Sequence, residues 1–151
     1  MEDINEYEVF ARSMEEKYPK MLAGKYGGFA IGKGWWVIVD ALMGQIQWHI
    51  DNSIKNNKWD LENDKTNVRP IIQQVTVEQI KEKFGGLRFY YQGGDEYIHG
   101  LVSMAESWAG IACEECGGIG EGRSGGWIRT LCDKHEAEHQ EKIKLRNENG
   151  N

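Results

Sequence analysis

Two short ligand pairs constrain this chain more than any other feature: "CEEC" at 113–116 and "CDKH" at 132–135, with fifteen residues between them. A C-x2-C knuckle turns two thiolates to one side, where a tetrahedral ion can bridge them to a second pair. Cys113, Cys116, Cys132 and His135 are therefore the expected metal ligands, and three thiolates with one imidazole suit Zn2+. Four protein ligands complete the tetrahedron and leave no position open for substrate, so the expected site is structural. His139 lies one helical turn past His135 and competes for the fourth place, although the x2 spacing favours His135. A zinc deaminase would require Pro directly ahead of its C-x-x-C, and here Ala112 precedes Cys113.

The filling between the pairs supports a finger. Gly-rich "GGIGEGRSGG" can turn a hairpin, "WIRTL" can return as a strand, and "DKHEAEHQEKIKL" suits a helix with Cys132 and His135 at its start. Knuckle, hairpin and helix N-terminus in that order describe a treble clef. Three cysteines, an odd count, behind the acidic start "MEDINEYEVF" argue against a disulfide framework and for a cytoplasmic protein.

Ahead of the finger the pattern is α+β. Ile4, Tyr7, Phe10, Met14 and Tyr18 recur at helical spacing over residues 2–22, with Pro19 as the stop. "AGKYGGFAIGKGWW" has too many glycines for a helix, but Tyr26, Phe29 and Ile31 fit a short strand or packed loop, and "KGWW" can anchor a helix start. Val39, Leu42, Met43, Ile46, Ile50 and Ile54 predict a helix over 35–57, followed by "KNNKWDLENDKTN" as an exposed connection. Ile72, Val75 and Val77 suit a strand, 79–83 reads equally as strand or helical turn, and "LRFYY" at 87–91 is the second strand of an antiparallel hairpin turned at "FGG". Asp95 is placed to cap a third helix whose stripe is Ile98, Leu101, Val102, Ala105 and Trp108. The tail "KLRNENGN" reads as frayed. Length favours one globular unit, a core of residues 1–112 packed with a finger and C-terminal helix of 113–151.

Charge narrows the function. The net charge is −6, shared between twelve basic and sixteen acidic side chains in 1–112 and six and eight in 113–151, so neither part has the basic excess usual for duplex DNA binding. No apolar run reaches the roughly 20 residues of a membrane helix. The stretch "FGGLRFYYQGGDEY" concentrates a different chemistry. Arg88 offers a fork of donors, Phe89, Tyr90 or Tyr91 can stack on a base, and the amides at 94–97 open a helix, which together suit a nucleotide-like ligand. Asp95 and Glu96 oppose this, since their charge suits capping and repels phosphate. The plainer account makes the stretch a core hairpin with Arg88 paired to a surface carboxylate. Glu96 and His99, at i, i+3, are better read as an exposed polar face than as acid–base machinery, so a non-enzymatic protein is expected.

"GWW", "EKFGGLRFYYQGGD", "MAESW", "CEEC" and "GWIRTLCDKH", spanning residues 34–135, resemble a family of small phage and prophage proteins that end in a zinc finger of this kind. The resemblance implies an accessory role in the infected cell, by binding and blocking a host defence protein or by sequestering a nucleotide-derived signal. On that reading the ligand pocket lies between the hairpin, the helix begun at Asp95 and the finger hairpin, lined by Arg88, Tyr90, Tyr91, Asp95, Trp127 and Arg129 with Arg123 beside them. The rival reading is a nucleic-acid-binding regulator whose "GRSGGWIRT" arm touches phosphate. Homo-oligomerisation is left open.

Overall fold

The computed structural model describes residues 5–150. Four helices and two small sheets follow in the order α1 (Glu6–Lys17), β1 (Phe29–Ala30), α2 (Trp36–Glu62, entered by a 3-10 turn at Lys33–Trp35), β2 (Thr76–Lys83), β3 (Gly86–Gln92), α3 (Glu96–Ala109), β4 (Glu121–Arg123), β5 (Arg129–Leu131) and α4 (Asp133–Asn149). The class is α+β, with a C-terminal treble-clef-like finger made of the 113–118 knuckle, the β4–β5 hairpin and α4. The first sheet has the order β1-β2-β3; β2 and β3 are antiparallel as expected, and β1 adds a two-residue parallel edge.

Helices α1, α2 and α3 form where their apolar spacing predicts them, with bounds set by chemistry, whereas α4 buries no side chain. Asn5 caps α1 by accepting from Tyr7 N, and the helix ends two residues before Pro19, whose ring disfavours helical backbone in the residue ahead. Ile4 lies outside the described residues. Asp95 caps α3 by accepting from Ile98 N at 3.0 Å. Ile98, Val102, Ala105 and Ala109 are the buried stripe of α3, whereas Trp108, assigned to that stripe from its spacing, sits on the flank and is exposed. Ile54 likewise lies outside the core.

Three segments depart from the sequence reading. The polar connection expected after residue 57 is helical through Glu62, because its polar side chains form a rail for the returning chain. Asn57 donates to Arg69 O, Ser53 Oγ accepts from Ile72 N, and Gln47 and Gln74 exchange reciprocal amide bonds. Asp60, nearly fully buried, accepts from Arg69 N, Nε and Nη2 at 2.7–2.9 Å. The strand anticipated at Ile72 therefore starts at Thr76, after an extended lead-in bonded to α2. The ambiguity over 79–83 resolves as strand: a bulge between Val77 and Gln79 puts Val77 and Ile80 on the same inner face, three apart, which imitates a helical period. The tail also belongs to α4, which runs to Asn149.

Beyond the bulge the sheet alternates cleanly. Ile80, Leu87 and Phe89 enter the core against α3, and Lys81, Arg88 and Tyr90 stand on the opposite face. Helices α2 and α3 run antiparallel. Trp35 Nε1 donates to Ala112 O at 2.8 Å at one end, and His49 Nε2 meets Asp95 Oδ2 at 3.0 Å at the other.

The hydrogen bonds from Arg69 hold the Asp60 carboxyl down at about 2, from an ordinary 3.8. A lowered acid contributes stability above its unfolded pKa and loses it as pH falls through the folded one. Urea midpoints of wild type and Asp60→Asn should therefore differ most above pH 4 and converge between about pH 4 and pH 2. A gap that is constant with pH would mean the pair does not act through ionisation.

Candidate metal centre

Cys113 ends a chain segment fixed by the core. Trp35, wholly buried, holds Ala112 through its indole, and the knuckle then closes with Cys113 N donating to Gly118 O and Gly117 N to Cys113 O. Gly117 takes φ +75, a left-handed position that favours glycine at this turn. The second pair is set by the finger: β5 delivers Cys132 to the position before α4, and His135 lies in the first helical turn. Glu136 N donates to Cys132 O, opening the helix directly under the ligands.

The four donor atoms lie within 4.8 Å of one another. Cys116 Sγ to Cys132 Sγ is 4.0 Å, Cys113 Sγ to His135 Nδ1 is 3.5 Å, and Cys132 Sγ to His135 Nδ1 is 3.2 Å. A tetrahedral ion with metal–sulfur bonds of about 2.3 Å needs sulfur–sulfur edges of about 3.8 Å, so the donors fit a single metal ion. His139 is not a member of this group; His135 completes it. His135 Nε2 faces Glu138 Oε2 at 3.9 Å, the kind of outer partner that orients a ligating imidazole.

The electrostatics favour thiolate at Cys113. Burial alone would raise the Cys113 thiol, yet backbone N–H groups around the knuckle and at Cys132 outweigh it and bring the value to about 7. Gly118 N donates to Cys116 Sγ at 3.4 Å, which lowers that thiol, but burial and its two sulfur neighbours raise it overall. Crowded thiols that cannot all ionise beside one another invite a cation.

The finger is joined to the core at residues that spacing did not single out. Glu114, buried beside the first ligand, accepts from Thr130 N at 2.8 Å and from Arg129 Nε at 3.3 Å; burial pushes its carboxyl up despite those partners. Thr130 Oγ1 donates to Gly85 O, docking the β2–β3 turn on β5. Gly34 N donates to Glu114 O at 2.7 Å, and a Cβ at Gly34 would collide with Cys113 O, Gly117 N and Cys116 N. The glycine in "KGWW" is thus required by the knuckle rather than by its own turn. Its only sequence signal is a glycine directly ahead of a buried aromatic anchor.

The six residues assigned to a ligand pocket fall in separate places. Arg88 and Tyr90 are on the outer face of the hairpin, and Tyr91 is on the inner face beside Phe89. Asp95 is committed to the α3 cap and to His49, and Arg129 to Glu114 and Glu115. Trp127, 75% exposed, lines a cup of about 360 Å3 with Phe84 and Ile128. Arg123 is tied to Leu131 O, Glu121 and Asp133. Glu96 and His99 are exposed on the first turn of α3. Arg88 bonds Leu87 O and has no carboxylate partner among the described residues. Among those residues no helix is long and apolar enough to cross a membrane.

Fold and donor cluster together define a small α+β protein with a treble-clef-like finger whose four donors could hold a metal ion. No family model, curated protein or solved structure matches the chain.

The close approach at Gly34 makes a specific prediction. Gly34→Ala should destabilise the protein by about 3 kcal/mol, the upper end of overpacking losses, and weaken metal retention, read by denaturant unfolding and metal analysis. Gly24→Ala, with open space around its Cβ, should leave both unchanged. Equal stability of the two variants would remove the knuckle contact from the account.

Proposed function

We propose that the chain is a non-enzymatic binding protein whose finger is held by a structural zinc ion and whose ligand surface is the outer face of the β2–β3 hairpin. Zinc follows from three thiolates and an imidazole at tetrahedral spacing, with no fifth protein donor in the group. The observation that carries the ligand reading is a cross-strand pair of like charge, Lys81 opposite Arg88. Like charges directly opposite weaken a ladder, and neither makes an ion pair with the described residues, so the pair serves something other than the sheet.

The surroundings have the matching chemistry. Lys81 Nζ lies 5.6 Å from the centre of the exposed Tyr90 ring, and Lys83 adds a third cation. At the hairpin turn Phe84 adopts φ +54, which is costly for a bulky side chain, and holds its ring 70% exposed beside Trp127. Cations along two strands with exposed aromatics beside them suit single-stranded nucleic acid, the phosphates held by Arg88 and the lysines and the bases stacked on the rings. An open sheet face favours an extended strand over a small nucleotide, whose sites are concave. The contact moves from the finger's "GRSGGWIRT" arm, whose arginines are committed to carboxylates, to the hairpin. The phage-type accessory role implied by the resemblance is the setting of this proposal. A net charge of −6 makes the interaction local and salt-sensitive.

Titration of a labelled oligo-dT and oligo-U across salt tests it. Three cationic contacts predict a log–log salt slope of about −2, reduced by about 0.7 in Arg88→Ala, and Tyr90→Ala should weaken binding by about 1–3 kcal/mol. Folded protein that binds neither oligonucleotide at low salt contradicts the proposal; binding of cyclic dinucleotides alone would transfer the surface to capture of a nucleotide signal.

A further inference from the structure

The third helix has twice the apolar stripe that its core needs. Inside it lie Ile98, Val102, Ala105 and Ala109; one step round run Tyr97, Leu101, Met104 and Trp108, at i, i+4, i+7 and i+11. On α2 the matching outer stripe is Val37, Ala41, Gln45 and Trp48, again at i, i+4, i+8 and i+11. Because the two helices run antiparallel, their outer stripes flank one seam, a groove of about 370 Å3.

Three properties of this face identify its occupant. The first is size. Val37, Trp48, Tyr97, Met104 and Trp108 are each between 51% and 79% exposed. Together, with Trp48 and Tyr97 beyond the end of the groove, they leave on the order of 700 Å2 of surface, polar atoms included, near the roughly 800 Å2 per partner of a standard interface. The second is charge. Among all residues 28% are charged, yet none of the nine that line the groove is. Two copies of a chain with net charge −6 repel wherever acidic surface meets acidic surface, and this face avoids that. A foreign amphipathic helix would find no charge here to set its direction. The third is shape. Met104, Trp108 and Val37 stand beside a floor of Leu42 and Ala105, so the face carries both ridge and groove. An isologous contact needs both on one surface.

We propose that two copies of this chain pair across the α2–α3 face, forming a four-helix contact with two-fold symmetry. The inference is independent of the ligand surface on the hairpin. Light scattering and native mass spectrometry of the full-length, metal-loaded protein test it. Wild type should show twice the 17.3 kDa chain mass at micromolar concentration. Val37→Glu and Met104→Glu, on different helices and both exposed in the single chain, should each weaken the dimer by at least about tenfold while keeping bound metal and the helical circular dichroism. Trp127→Glu, on the finger, should leave it intact. Wild type that stays at the single-chain mass, a dimer that survives both groove substitutions, or one that is lost in Trp127→Glu overturns the proposal. Should one groove variant misfold, the other decides.

Discussion

The contact on which this structure depends is a backbone-to-backbone approach: Gly34 lies against the amides and carbonyls of the Cys113–Gly117 knuckle with no room for a side chain. Two apolar groups can tolerate small errors of fit, but peptide groups in direct contact cannot, so the knuckle must be formed before the entry to α2 has a surface to rest on. Trp35 then fixes the same joint from inside by bonding Ala112 O, and Glu114 carries it onward to Thr130 and Arg129. A finger of residues 113–150 has little core of its own; Cys113 and Leu131 are its deeply buried apolar members. Below about 40 residues a metal is the usual substitute for a core. Structural metal binding supplies roughly 10–16 kcal/mol, comparable with the whole stability of a typical domain. The energy of a metal bound there would pass to the core through one glycine, one indole and one buried carboxylate.

The parts of this fold that were legible in the sequence are those with local causes. Cys113, Cys116, Cys132 and His135 were visible because the knuckle and the first turn of a helix each impose a fixed spacing on their ligands. Helices α1, α2 and α3 were visible because burial on one side imposes a 3.6-residue period, and Asp95 because a cap has to stand where the period begins. What was not legible depends on contacts made at long range. Gly34 looks like any turn glycine until the knuckle is folded over it. Asn57 and Asp60 read as loop composition because their partner, Arg69, comes from a strand lead-in that returns along the helix. The bulge after Val77 replaced a two-residue alternation with a spacing of three, which periodicity alone cannot separate from a helical turn. Trp108 fell into the core stripe because a broad apolar face has the same spacing whether one half or all of it is buried.

That last confusion also connects fold to function. Side chains that break a structural rule without strengthening the fold cluster here in two places: the cations and aromatics on the outside of the β2–β3 hairpin, and the uncharged outer stripes of α2 and α3. None of the four cluster residues belongs to either surface. On the reading proposed above, the finger supplies rigidity and the two surfaces supply recognition. The turn carrying Phe84 shows how they meet: Thr130 of the finger bonds Gly85 O, so the backbone that holds Phe84 at positive φ is braced by β5, the strand that leads to Cys132.

Hydrogen–deuterium exchange of the full-length protein, with and without metal removed by a chelator, tests this division most directly. Loss of metal should raise exchange at the knuckle and α4, and also at the Gly32–Trp36 entry to α2 and the Phe84–Gly86 turn, while the centre of α2 around Ile46 stays protected. Loss of protection confined to residues 113–135 would contradict the account, since the core would then stand without the finger it is claimed to lean on.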